Sequence, residues 1–194
     1  MSIAMHEWPR RHRISVEHYY RMAEAGLFAP DERVELIDGE IVDMPPMGTR
    51  HAAKLSRLVD LLSAAIGERG MVRVQLPLRL DDASEPQPDI AVVVPRADYY
   101  EQHHPTGADT LLAIELSDST LRFDRDIKAP LYSQHRVPET WVLNLRANRL
   151  IRFLRSTAEG EPLAVEGDLG TISLHALPGV TVNLETLATR TPED

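Results

Sequence analysis

Apolar positions along the chain change period several times, and each change marks an element. Ser15 can cap a short helix in which Val16, Tyr19, Tyr20 and Ala23 recur at helical spacing, with Gly26 as its stop. In Val34-Glu35-Leu36-Ile37-Asp38-Gly39-Glu40-Ile41-Val42, an Asp-Gly pair separates two apolar-containing runs, which predicts two strands and a tight turn. The break Pro45-Pro46-Met47-Gly48 leads, through Thr49 or Arg50, into Leu55, Leu58, Val59, Leu62 and Ile66 at steps of three and four. That spacing predicts an amphipathic helix ending near Gly67 or Gly70.

From Met71 the period falls to two. Val72, Val74, Leu76, Leu78 and Leu80 fall on one side and Arg73, Gln75 and Arg79 on the other, predicting one half-buried strand. After a polar turn over 81–87, Pro88-Asp89 opens Ile90-Ala91-Val92-Val93-Val94, a β-branched run suited to a strand covered on both faces. Leu111-Leu112-Ala113-Ile114-Glu115-Leu116 reads the same way. Residues 118–124 read as a loop and 125–135 as a helix that Pro130 kinks or delays. A second hairpin is predicted for 141–154, turning at 146–149, and two short strands flank Leu177-Pro178-Gly179-Val180. The order of elements predicts an α/β (α+β) fold, a mixed sheet with helices against it, in one domain over 14–187 with flexible ends at 1–13 and 188–194.

Composition then narrows the chemistry. The 21 basic and 30 acidic residues leave a net charge of −9, which argues against coating nucleic acid or an anionic membrane through bulk attraction but leaves a local basic site open. The absence of cysteine excludes a disulfide framework, a thiolate metal site and a cysteine nucleophile, so any metal must be held by oxygen or imidazole. The longest aliphatic run, 90–94, is far short of the roughly 20 residues that cross a bilayer, and no signal peptide is visible; the expectation is a cytoplasmic protein with no membrane contact. Gly-rich phosphate loops, a Gly-x-Ser-x-Gly elbow and His-Glu-x-x-His are all missing.

What remains is charge inside strands. Asp89 stands at the mouth of one apolar strand and Glu115 within another, and ionised carboxylates stay in such places only with partners. Side by side they would offer the hard oxygens that Mg²⁺ or Mn²⁺ prefers. Lys128 could reach back to them from the following helix, with Ile127 and Leu131 turning one face of that helix to the sheet. Simpler readings stand beside these: Asp89 as a turn residue, Glu115 and Lys128 as a structural ion pair, and His51 as a helix-start contact. His103-His104 reads as surface, Glu35 and Glu40 as hairpin solubility, and Arg146, Arg149, Arg152 and Arg155 as guards of a strand edge.

The ordered set Glu35-Leu-Ile-Asp-Gly-Glu40, His51 before a leucine-rich helix, Pro88-Asp89-Ile-Ala-Val-Val, Ile114-Glu115-Leu-Ser117, Asp124 to Lys128, Tyr132 and Val137-Pro138-Glu139-Thr140-Trp141 resembles the PD-(D/E)XK nuclease superfamily, and within it the bacterial Uma-type restriction endonuclease family. The resemblance spans about 14–187. It implies an αβββαβ core, Mg²⁺ (or Mn²⁺) on Asp89 and Glu115, phosphodiester hydrolysis with DNA as partner, and a homodimer as one assembly. Lysine normally stands two residues after the second acid, where this chain has Ser117. Either Lys128 supplies the amine from the helix or the catalytic set is incomplete, which keeps a noncatalytic module for dimerisation or nucleic-acid binding open. Glu35 and His51 match family positions in supporting roles.

Overall fold

The computed structural model describes residues 11–155 and 162–188, so the expected flexible ends, 1–13 and 188–194, fall mostly outside the described residues. Helix α1 (Val16–Glu24) begins at Ser15, whose hydroxyl accepts from the His18 amide. Strands β1 (Val34–Ile37) and β2 (Glu40–Asp43) form the predicted hairpin. Its turn residues Asp38 and Gly39 take φ of 49° and 74°, the left-handed pair that a two-residue turn of this hand requires. Helix α2 (Thr49–Ile66) then leads into β3 (Met71–Val74), β4 (Ile90–Val93) and β5 (Thr110–Ser117). A continuous helical segment follows, made of α3 (Leu121–Phe123), a π turn (Asp124–Lys128) and α4 (Ala129–Gln134). Strands β6 (Glu139–Asn144), β7 (Arg149–Leu154) and β8 (Leu163–Asp168) and the small pair β9 (Thr171–Ser173) and β10 (Thr181–Asn183) complete the described chain.

Among the described residues, the main sheet runs β3-β4-β5-β6-β7-β8, with β5 and β6 parallel and the other neighbours antiparallel. The succession from α2 to β6 is the αβββαβ order that the sequence resemblance implies. Side chains alternate across the sheet. Ile90, Val92, Leu112, Ile114, Trp141 and Leu143 pack with Leu55, Leu58, Leu62 and Ile66 of α2, while Val142, Ile151 and Phe153 pack with Ala129 on the opposite face. The carboxylates discussed below belong to the face away from α2.

Four local expectations need correction. The strand expected over 71–80 ends at Val74, because Gln75 adopts φ 49° and Pro77 cannot donate to a ladder; Leu76 is left exposed while Leu78 is fully buried. The loop expected at 118–124 is already helical from Leu121. Pro130 neither kinks nor delays the helix, because the widened turn just before it, closed by Ala129 N–H to Asp124 O, already departs from the regular ladder that a proline would break. Ile127 does not face the sheet but is 47% exposed, and the buried positions are Asp124, Lys128, Ala129, Tyr132 and Ser133. Strand β8 was not expected, since almost every residue of this edge strand is exposed and no buried face imposes a period of two.

Candidate active site

The register Ile90 opposite Ile114 places Asp89, one step before β4, across from Glu115 on β5. Both belong to the same face as Ala91 and Ala113, looking toward the helix that carries Lys128. Like charges set opposite each other in a ladder repel, and the surroundings of the pair show how the repulsion is handled. Asp89 Oδ2 accepts from the Leu116 amide at 2.8 Å. Its Oδ1 accepts from Gln75 Nε2 at 3.0 Å and from His51 Nε2 at 3.1 Å. Burial alone would raise the Asp89 pKa, but His51 and these other donors hold it below the usual value. The same hydrogen bond to Asp89 raises His51.

Lys128 sits between two acids. Its Nζ is 2.9 Å from Glu115 Oε1 and 3.1 Å from Glu35 Oε2, and all three side chains are buried. The Tyr132 hydroxyl donates to Glu115 Oε1 at 2.6 Å, and the Gln87 amide donates to Glu35 Oε2 at 2.9 Å. Burial opposes the charge on Lys128, yet the surrounding carboxylates of Glu115, Glu35 and Asp124 more than offset it and hold the ammonium charged. Burial pushes Glu115 up to about 8, against the pull of Lys128. Two buried carboxyl groups share one ammonium, and Glu115 keeps its proton well above the ordinary carboxylate range.

These groups line one cavity of about 230 Å³. Its lining includes Glu35, His51, Asp89, Glu115, Asp124 and Lys128, so five of the six sequence candidates converge. Ser117 is the exception. It is fully buried, lies outside the lining, and donates to Asp124 Oδ2 at 2.7 Å, an oxygen that also accepts from Thr120 Oγ1 at 2.6 Å. Neither His103 nor His104 lines the cavity; His104 Nε2 instead lies 3.1 Å from the Tyr20 hydroxyl of α1. Glu40 shares the hairpin face of Glu35 but pairs with Arg11 at the exposed turn. Arg146, Arg149 and Arg152 of the second hairpin pair with Asp118, with Glu166 and Asp168, and with Glu139.

The donor chemistry suits a small hard cation. Asp89 Oδ2 carries one accepted hydrogen bond, and Glu115 Oε2 only a long 3.4 Å contact from the Asp89 amide, so each keeps a lone pair for another ligand. No group of three or more histidines and acids is arranged to hold a metal among the described residues. A cation here would take two protein carboxylates, a number compatible with Mg²⁺, which retains waters and substrate oxygens.

Sequence reasoning gave no site role to Gln75, Asp124 or Tyr132, although Asp124 and Tyr132 stand in the motif set that carries the resemblance. Asp124, Lys128 and Tyr132 stand four residues apart, a spacing that would have flagged one helix face. Gln75 fell on the polar side of an expected strand, and nothing in its spacing marks the left-handed turn that brings its amide to Asp89.

The chain thus combines a nuclease-like α/β fold with a recessed site of acids and one lysine. The crystal structure described as a "putative nuclease belonging to DUF820" from Anabaena variabilis ATCC 29413 has the same fold, with a TM-score of 0.67 at 16% identity over 90% of this chain and 97% of that one. The chain belongs to the Uma2 family, described as "Putative restriction endonuclease", whose profile matches residues 16–185. No curated protein matches it. No helix among the described residues is long and apolar enough to cross a membrane.

Proposed function

We propose that this protein is a divalent-metal-dependent endonuclease that hydrolyses phosphodiester bonds, with DNA as substrate. One observation carries the reading: two carboxylates opposed on neighbouring strands share a cavity with a lysine that contacts one of them at 2.9 Å. Asp89 and Glu115 would hold Mg²⁺ or Mn²⁺ through the oxygens left free. Such an ion, when bound, polarises a phosphoryl oxygen and lowers the pKa of the attacking water. His51 and Gln75 fix the orientation of the Asp89 carboxylate. Tyr132 and Lys128 fix that of Glu115, and the ammonium at the cavity floor offsets charge that develops on the phosphoryl oxygens. Glu35 holds Lys128 charged and in place.

The alternative of a noncatalytic module was motivated by Ser117 standing where the motif has lysine. Lys128 Nζ at Glu115 supplies an amine from another element, which favours the enzyme. The experiment is a cleavage panel of plasmid, duplex, single-stranded DNA and RNA with Mg²⁺, with Mn²⁺ and with EDTA, on wild type and on Asp89→Asn and Glu115→Gln. Cleavage that needs the metal and falls at least 100-fold in both variants is expected. Activity in EDTA, full activity in either variant, or no cleavage by wild type rejects the reading.

A further inference from the structure

We infer that the cavity takes one unstacked nucleotide of a single-stranded polynucleotide, its phosphate gripped by Arg33 and its base seated on an apolar strip beside the carboxylates. The inference rests on the nuclease reading and adds the form of substrate.

The first hairpin contributes one wall of the cavity. Glu35 pairs with Val42, and the Met44 amide donates to Arg33 O at 2.8 Å, which extends the same register one pair further. Arg33, Glu35, Val42 and Met44 therefore share one hairpin face, and all four line the cavity. The other cationic groups in the lining are already committed, Lys128 to Glu35 and Glu115, and His51 to Asp89. Arg33 is half-buried and, among the described residues, forms no ion pair with a carboxylate. A guanidinium left over beside an acid-rich floor is a fitting phosphate anchor, because its planar fork matches phosphate oxygens.

Beside Arg33 the lining turns apolar through Val42, Met44 and Met47, with Phe123 of α3 contributing an aromatic ring. A bare phosphate has no use for such a surface, whereas the face of a base does. Depth decides the form of substrate. Glu115 and Lys128, at the floor of this cavity of about 230 Å³, are only 3% exposed. A stacked duplex is a stiff rod that keeps its bases out of such a recess unless one is extruded at the cost of unstacking. A single strand enters with one base already free.

The test compares Mn²⁺-dependent cleavage of a 12-nucleotide single-stranded DNA with the same strand in a duplex, for wild type, Arg33→Ala, Phe123→Ala and Phe123→Leu. Wild type should favour the single strand at least tenfold in kcat/KM. Phe123→Leu keeps the apolar bulk and loses the ring; both Phe123 variants should raise KM about fivefold to tenfold with little change in kcat. Arg33→Ala should raise KM and reduce the slope of log(kcat/KM) against log salt by about 0.7, the share of one phosphate contact on a single strand. Equal or better cleavage of the duplex, or an unchanged KM in a folded Phe123→Leu protein, overturns the inference and leaves the nuclease reading standing. Absence of cleavage on every substrate overturns both.

Discussion

Four buried carboxylates reach the cavity, and each is solvated by the protein in a different way. Asp89 has three donors, Glu35 has a backbone amide and Lys128, and Glu115 has Lys128 and Tyr132. Among the described residues, Asp124 accepts only from the hydroxyls of Ser117 and Thr120, and burial raises its pKa despite Lys128 nearby. Contrast Glu139 outside the cavity, fully buried and satisfied by Trp141, Arg152 and the His175 amide. Below the ordinary carboxylate range both folded and unfolded chains hold the Asp124 proton, and its charge costs nothing. Above that range the unfolded chain has released the proton while the folded chain keeps it, so stability falls as pH rises until the folded pKa is passed. Asp124→Asn, neutral at every pH, removes that loss. Its advantage over wild type should be near zero at pH 3.5 and grow toward neutrality, by at most about 1.4 kcal/mol for each unit of the folded-state rise. Urea unfolding of both proteins from pH 3.5 to 8 in EDTA measures the gap, and parallel curves would show that Asp124 is not held neutral by the fold.

Elements with one buried face were readable from spacing, and the elements that escaped lack such a face or depart from regular geometry. The hairpin at Asp38-Gly39, the amphipathic α2 and the runs around 90–93 and 110–117 follow from period and turn chemistry. The left-handed residue at Gln75 and the π turn at Asp124–Lys128 do not, and these two irregularities position side chains of the site. Asp89 and Glu115 were legible as acids in apolar strands, and Lys128 only through resemblance, because a helix lysine alone is an ordinary surface residue. The join between layers makes its own demand. Gly107, in the short turn before β5, lies where an added Cβ would meet the His135 carbonyl oxygen at 1.8 Å, so the end of α4 and the start of β5 tolerate no side chain there. Gly107→Ala should destabilise by about 2–3 kcal/mol through forced displacement of backbone. Gly170→Ala, with open space around it, should stay within about 0.5 kcal/mol of wild type. Equal unfolding midpoints for the two variants would mean that the contact at His135 yields freely.

For the molecule as a whole, folding gathers acids that the unfolded chain keeps apart. A net charge of −9 already opposes compaction, and the cavity gathers Glu35, Asp89, Glu115 and Asp124 around Lys128 and His51. Such a site forms because each carboxyl accepts at least one hydrogen bond and because Glu115 and Asp124 keep their protons above the ordinary carboxylate range. A cation would bind the ionised carboxylates and displace such protons. A ligand that binds only the folded state adds RT ln(1 + [L]/Kd), about 2.7 kcal/mol at a hundredfold excess over Kd. For a chain of this length each kcal/mol moves the melting temperature by roughly 2–4 °C. Saturating Mn²⁺ should therefore raise the wild-type Tm by about 5–10 °C over EDTA, while NaCl at matched ionic strength should not. Asp89→Asn and Glu115→Gln each remove one of the two oxygen ligands and should abolish the rise, even where the substitution itself makes the metal-free protein more stable. Differential scanning calorimetry of the three proteins with and without Mn²⁺ gives the answer independently of any substrate. A Mn²⁺ shift that survives both substitutions would place the cation elsewhere in the molecule and remove the opposed carboxylates from the metal's coordination.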